Sequence, residues 1–337
     1  MPTRLTIAVL PPKAMIPTLF RPATWEKLAA YGTVVQNKSD DCNLDEAGAK
    51  ALLCDTDADV VITSWGSPPM SAEVISHAAK LRLHCHAAGS VRPVVSDAEW
   101  ERGIIVTSAA AAIAVGVAET TLGWIIIAAK QALTANEATH RGGWKEQMRF
   151  PAGDLTGRKI GIVGASHVGR NVINLLKPHE VEILLYDPYV SEAEATELGV
   201  RKASLDELLR NAEIISLHAP SISETRHMIN RNDLKLVQDG ATIINTARGS
   251  LIDETALVEE LKTGRIWAIL DVTDPEPPAP DHPFRKLSNC ILTPHIAGTV
   301  AAGRLRIGDY VAEEVRRFAR GEPQRYRVTR EMLSRIA

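Results

Sequence analysis

The stretch IGIVGASHVGR, Ile160 to Arg170, decides how the second half of this chain folds. Lys159–Val163 is a short, mostly β-branched run, the pattern of a strand buried on both faces. Gly164 permits a sharp turn after it, and Gly169 permits the next helix to pack close to the strand. That helix starts near His167, so its free N–H groups and positive dipole end face whatever anion lies at the turn. Strand, Gly-x-Gly-x-x-Gly turn and helix together form the usual pyrophosphate cradle for a dinucleotide. Here the middle glycine is Ser166. A serine adds a Cβ, at about 1 kcal/mol if its φ is positive, while its hydroxyl is able to cap the helix or donate to a phosphate.

An imperfect glycine signature is weak alone, and the next strand strengthens it. Glu182–Tyr186 ends in Asp187, 23 residues beyond Gly164, close to the roughly 20 expected for an acid on the adenosine ribose. The segment YDPYV carries no arginine to hold a 2′-phosphate, which favours NAD over NADP. The plain alternative makes Asp187 an ordinary turn residue in a purely structural unit.

Before this turn, strand and helix patterns alternate. Leu5–Leu10, Thr33–Gln36, Asp59–Thr63 and Leu81–Cys85 read as strands; Pro22–Ala30, Leu44–Leu53 and Ser71–Lys80 read as helices. A long apolar helix, Val115–Leu133, and a polar, irregular arm, TANEATHRGGWKEQMRFPAGDLTG, lead to the second series. There Glu213–Leu217, Ala241–Asn245, Trp267–Leu270 and Cys290–Leu292 continue as strands, with helices at His167–Leu176, Ser204–Arg210 and Glu254–Lys262. An amphipathic helix, about Val300–Arg320, closes the chain. The alternation predicts an α/β protein of two doubly wound parallel-sheet domains.

Bulk properties agree. The chain has 337 residues, enough for two domains, with 45% hydrophobic and 23% charged residues. A net charge of −3 gives no general pull toward nucleic acid or acidic membranes. Cys42, Cys54, Cys85 and Cys290 form no CxxC pair and read as free thiols in a reducing cytoplasm. The first apolar run is too short for a signal peptide and reads as a strand. The stretches Ile104–Ala118 and Leu122–Ala129 each fall short of the roughly 18 to 20 residues of a bilayer crossing, so a soluble, cytoplasmic protein is expected.

Three downstream segments carry more specific chemistry. INTARGSLID puts Arg248 just after a strand, LDVTDPEPP puts Glu276 in a proline-stiffened loop, and LTPHIAGT puts His295 at a turn. Each has a bland reading as a helix cap, a solvated acid or a packed turn residue. Together, behind a dinucleotide turn, they suggest an acid–base centre. In it the arginine binds a carboxylate, the histidine moves a proton and the glutamate orients the imidazole.

With GIVGASHVGR, YDPY, LHAPSISETRHMIN, NTARGSLIDETALVEEL and LDVTDPEPPAPDHPFRKLSNCILTPHIAGT in order, the sequence resembles the D-isomer-specific 2-hydroxyacid dehydrogenases. The resemblance is strong over about 106–299 and looser in the flanks. It implies an NAD-binding Rossmann domain, 108–299, inserted into a flavodoxin-like substrate domain, 1–107 with 300–337. His295 would be the general acid/base, Glu276 would hold it and raise its pKa, and Arg248 would bind the carboxylate of a small 2-hydroxy or 2-keto acid. Gly164, Ser166, His167 and Val168 would meet the pyrophosphate and Asp187 the ribose. Pro220, Thr225, Thr246, Ala247, Arg248, His295 and Gly298 would line the NAD groove, and Asp271 would contact the carboxamide. The helix 115–133 and the arm after it match the segment through which family members form homodimers.

The sequence departs from the family where the substrate's carboxylate usually meets backbone amides. Here HAAGSVRPVV puts Gly89 and Ser90 at those amides and Arg92 in place of the usual acid. Arg92 is either a packing arginine or a second anionic subsite. Trp65 falls where relatives line the substrate mouth, or it anchors a surface. His84 and His86 share a strand face, but with no accompanying ligands no metal is expected. A different class on this fold, an NAD-sensing corepressor, finds no basic patch or interaction tail in its favour. Formate-dehydrogenase chemistry is disfavoured because that branch carries glutamine where Glu276 stands. Phosphoglycerate oxidation stays open, although the chain leaves no room for an appended C-terminal regulatory domain.

Overall fold

Along each central strand, alternate residues enter two different hydrophobic clusters. Ile160 and Ile162 of β6 (Lys159–Val163) join Val172, Ile173 and Leu176 of the following helix, while Val163 joins Leu208, Leu209 and Leu257. Helices therefore cover both faces, which is why these strands read as continuous apolar runs. The computed structural model describes residues 4–144 and 152–336. It divides the chain into two units, Met1–Ile113 with Thr299–Ala337, and Ala114–Gly298.

In the first unit β1 (Leu5–Val9), β2 (Gly32–Gln36), β3 (Val60–Thr63), β4 (Leu83–His86) and β5 (Ile105–Ser108) run parallel in the spatial order β2-β1-β3-β4-β5. That is the flavodoxin-like order. In the second unit β7 (Glu182–Tyr186), β8 (Arg201–Lys202), β9 (Ile214–Leu217), β10 (Thr242–Asn245), β11 (Trp267–Leu270) and β12 (Cys290–Leu292) join β6 in the order β8-β7-β6-β9-β10-β11-β12. This order reverses between β6 and β9, the switch point at which doubly wound sheets bind ligands.

The structure corrects four expectations. The first sheet is not wholly parallel: β13 (Arg327–Val328) pairs antiparallel with β5, because the chain reaches that edge by a short return rather than a helical crossover. The long apolar helix runs Ala110–Lys130, breaks at Gln131 with φ 51°, and resumes as Ala132–His140, so the start of the arm is helical. Residues 145–151 of the arm lie outside the described residues. The terminal helix opens as a tight 3₁₀ turn, Ala301–Arg304, before the α-helix Leu305–Ala319. Finally, the later part of Ile104–Ala118 and all of Leu122–Ala129, stretches judged too short for a membrane, lie in one 21-residue helix, Ala110–Lys130, long and apolar enough for a crossing by length and composition. Its Ala112 packs in one core cluster and its Ala118, Ile125 and Ala129 in another.

Two buried histidines tie stability to pH. Burial pushes the His86 and His218 imidazoles down to about 3 from the ordinary value of 6.5. A group with a depressed pKa binds more protons when unfolded, so its contribution is complete above 6.5 and is lost as pH falls toward 3. Stability is therefore expected to drop from pH 6.5 to 4.5, and His218→Asn to flatten that slope by up to about 1.4 kcal/mol per pH unit. Urea midpoints at four pH values, with an unchanged slope in the variant, would contradict this.

Candidate active site

Gly164 follows β6 with φ +98°, and a Cβ there would lie 2.7 Å from the Ala219 nitrogen; a Cβ on Gly169 would lie 2.1 Å from the Gly164 oxygen. Both glycines are thus sterically required. Ser166 is not: its φ is −64°, so the conditional strain does not arise. Its hydroxyl accepts from Gly169 N at 3.4 Å and caps the ten-residue helix His167–Leu176. The first-turn N–H groups of His167 and Val168 have no partner within the helix. Burial, with Arg170 nearby, lowers the His167 pKa and favours the neutral ring.

Asp187, at the end of β7, sits at the lip of this turn. One carboxylate oxygen accepts from Ala165 N at 2.7 Å and the other from Tyr189 N at 2.8 Å. Each oxygen keeps a lone pair for a hydroxyl donor. Arg170, which donates to the Ala165 carbonyl at 2.9 Å, is engaged by Glu194 at 2.6 Å. Further along the same sheet edge, Thr225 donates to the Pro220 carbonyl at 2.5 Å, closing the loop after β9 on itself. Thr246 is buried against Thr121 at 3.0 Å. These residues fit a dinucleotide: a turn whose glycines leave no room for any Cβ, first-turn N–H groups with no acceptor in the helix and a strand-end carboxylate.

Arg248 follows β10 and is held by its own backbone. Asn245 donates to its carbonyl at 2.8 Å and accepts from Ala247 N at 3.1 Å. A Cβ on Gly249 would lie 2.1 Å from the Thr273 carbonyl carbon, so only glycine lets this turn press against the loop that carries Glu276. Burial lowers the Arg248 pKa, and the neighbouring Glu276 opposes the shift. The guanidinium is thus poorly solvated, donates to the Ala247 carbonyl at 2.7 Å and lies near the Glu276 carboxylate.

Glu276 Oε1 lies 2.7 Å from His295 Nδ1. A carboxylate only accepts, so Nδ1 carries a proton and Nε2 is left for a reacting oxygen. His295 adopts a left-handed backbone, φ 53°, imposed by its surroundings. The cause is Asp271 at the end of β11. Its buried carboxylate accepts from Thr293 Oγ1 at 2.6 Å, Ile296 N at 2.9 Å and Ala297 N at 2.8 Å. Asp271, expected at the carboxamide, therefore also anchors the histidine loop.

Sequence reasoning passed over Glu254. Its carboxylate accepts from Asp274 N at 2.8 Å, fixing the Glu276 loop, and burial pushes its pKa up to about 7. Its only signal was an acid in the first turn of a helix, a position acids occupy for dipole reasons alone.

The remaining expected residues belong to the first unit. Trp65 is 41% exposed, with the Arg304 guanidinium 5.4 Å from its ring centre. Arg92 donates to the carbonyls of Leu333 and Ile336, the Ile336 contact at 3.1 Å, so its guanidinium is already occupied by the C-terminal turn. Gly89 and Ser90 lie half-buried in the loop after β4.

Over residues 122–297 the chain matches the family described as D-isomer specific 2-hydroxyacid dehydrogenase, NAD binding domain. It is 37% identical over 268 residues to the D-3-phosphoglycerate dehydrogenase of Methanocaldococcus jannaschii, covering 79% of this chain and 51% of that protein. The glyoxylate reductase of Korarchaeum cryptofilum is 35% identical over 270 residues, covering 79% of this chain and 81% of that protein. A phosphoglycerate oxidoreductase from Rhizobium etli has a similar structure, with a TM-score of 0.82 at 25% identity over 97% of this chain and 99% of that one. This chain spans about half the length of the phosphoglycerate dehydrogenases it matches. By its glycine turn, its Arg–Glu–His set and these similarities, the chain belongs to the D-isomer-specific 2-hydroxyacid dehydrogenase family.

Proposed function

We propose that this protein is an NAD-dependent oxidoreductase that interconverts a small D-2-hydroxy acid and its 2-keto acid. The Glu276–His295 hydrogen bond carries this reading, because it leaves Nε2 as the one nitrogen available to a reacting oxygen, with the desolvated Arg248 close to the same carboxylate. Bound nicotinamide supplies or accepts the hydride. In reduction His295 gives its Nε2 proton to the carbonyl oxygen, and in oxidation it takes that proton back. Glu276 holds the ring and stabilises the imidazolium. Arg248 binds the substrate's carboxylate and carbonyl oxygens. Gly164, Ser166, His167 and Val168 would hold the pyrophosphate and Asp187 the ribose. Pro220, Thr225, Thr246, Ala247, Asp271 and Gly298 would line the groove. We also assign Gly89, Ser90 and Trp65 of the first unit to substrate binding.

The names of two relatives, a glyoxylate reductase and a phosphoglycerate dehydrogenase, support small 2-keto acids as the substrate class. The occupied guanidinium of Arg92 favours its packing role over a second anionic subsite. We also place the protein in the cytoplasm, consistent with free thiols at Cys42, Cys54, Cys85 and Cys290.

An NADH-oxidation screen over glyoxylate, hydroxypyruvate, pyruvate, phenylpyruvate and branched 2-keto acids tests the activity. At least one is expected to be turned over, and His295→Gln to lower its kcat by about 10² to 10⁴-fold with little change in NADH affinity. No turnover with any acid, while NADH binds, would sink the reading. Asp187→Ala is expected to weaken NADH by about tenfold and to shift preference toward NADPH, since the acid repels a 2′-phosphate. A cofactor titration showing equal losses for both would count against NAD selectivity. A homodimer through the helix Ala110–Lys130 and the segment after it is supported by exposed Ile126 and Leu133. Light scattering on dilution should return twice 36.6 kDa, and a single-chain mass at all concentrations would exclude it.

A further inference from the structure

Glu276 lies in the irregular stretch between β11 and the 3₁₀ turn Pro283–Arg285. Much of what shapes this stretch is internal to it. Thr273 Oγ1 donates to the Pro275 carbonyl at 2.9 Å, and His282 N to the Ala279 carbonyl at 3.0 Å. The Arg285 guanidinium donates to the carbonyls of Pro278 and Ala279, both at 3.0 Å. Bonds of this kind keep the shape of a loop, but they travel with it and do not fix where it stands. The stretch enters against Gly249 and leaves into the core at the fully buried Phe284. The span Asp274–His282 between those two points needs a separate hold.

Among the described residues, the side chains from elsewhere that bond to or pair with this span are His295, Arg226 and Glu254. His295 meets Glu276 itself. Arg226 pairs with Asp274 at 3.0 Å, but the two side chains are 58% and 38% exposed, so water screens their attraction. Glu254, in the first turn of the helix Glu254–Lys262, is only 15% exposed. Its Oε1 accepts from Asp274 N at 2.8 Å, and its Oε2 lies 3.5 Å from His282 Nε2. Phe284 N donates to His282 Nδ1 at 3.4 Å, so the neutral ring carries its proton on Nε2, toward Glu254. One carboxylate thus touches both ends of the span. Burial opposes its charge there and raises its pKa, and the Asp274 N–H offsets part of that rise.

We infer that Glu254 is a positioning residue: by holding both ends of the span Asp274–His282 it sets the Glu276 carboxylate against His295 Nδ1, and it acts on the proton transfer only through Glu276. The inference rests on the proposed function in taking His295 as the proton carrier. Glu276 and His295 are 40% and 47% exposed, so their own attraction is too well screened to hold a loose loop in register. Play of about 1 Å at Glu276 leaves the imidazole unheld and slows the chemical step. The cofactor turn, built on β6 and β7, is untouched by such play, so NADH binding is expected to persist.

The test uses the full chain with NADH. It reads kcat for the best 2-keto acid, NADH affinity, and hydrogen exchange of the peptide spanning 274–282. Glu254→Ala is expected to lower kcat per folded molecule by about tenfold, to leave NADH affinity within about twofold, and to quicken exchange at 274–282. Glu254→Gln should recover most of the loss, because its amide oxygen still accepts from Asp274 N. In a Glu276→Ala background, adding Glu254→Ala should change kcat by less than about twofold, since the residue through which it acts is gone. Arg226→Ala, which cuts only the exposed pair, should keep kcat within about twofold of the native value. If Glu254→Ala does not fold, His282→Asn takes its place. That variant retains an acceptor for Phe284 N but falls short of Glu254, and it should lower kcat and quicken exchange in the same direction. Unchanged kcat and exchange in a folded Glu254→Ala would overturn the inference and leave the enzyme reading intact. So would an undiminished loss on top of Glu276→Ala. If no 2-keto acid is turned over, the proposed function falls, and exchange at 274–282 still decides whether Glu254 holds the loop.

Discussion

Parallel pairing from β6 outward through β12 is the constraint on which the candidate site depends. Parallel strands buried on both faces send every carboxyl end to the same edge of the sheet, so the loops that follow them gather there. Gly164, Asp187, Thr225, Arg248, Glu276 and His295 follow β6, β7, β9, β10, β11 and β12 respectively. Residues scattered across more than a hundred positions thus become neighbours because hydrogen-bond register leaves the loops no other exit. The functional set is a consequence of the sheet, and each member needed only a local turn to aim it.

Those local turns are held by two carboxylates, Asp271 buried and Glu254 half-buried. Asp271 spends three hydrogen bonds on the loop of His295, and Glu254 spends one on the loop of Glu276. The 2.7 Å contact between Glu276 and His295 therefore joins two loops that are each tied down separately. Both partners of that contact are themselves about half exposed, so the Coulomb attraction between them is screened and does little to bring the loops together. The order runs from anchored backbone to side-chain geometry. In the first unit a buried line of side chains, Glu99, His84, Thr63 and His86, is joined by hydrogen bonds.

Much of this was legible from residue order. The glycine turn, the spacing to Asp187 and the positions of Arg248, Glu276 and His295 are local patterns, and the structure sets each at the end of its strand. Short capped helices were harder to see. Glu192–Leu198 and Arg231–Leu236 are too brief for a helical period, although Ser191 and Asn230 cap them. The break at Gln131 was invisible because nothing in its side chain demands a positive φ. The helix was read as one, Val115–Leu133, but its membrane length was missed because Glu119 divides the apolar run into two short stretches.

By itself the sequence determined the alternation of strands and helices, the two-unit plan and the residue types of the acid–base set. Periodicity and glycine placement act over a few residues, and they survive without knowledge of the rest of the chain. Only the tertiary structure decided what polar side chains do once buried. It made Ser166 a helix cap with an ordinary φ, gave Arg92 to the C-terminal turn, and turned the LHCH pair from a metal-like motif into a line of hydrogen bonds from Glu99 to His86. A hydrogen bond depends on distance and on which groups share a buried space, and partners as far apart as Arg92 and Ile336 have no common signature in the order of residues.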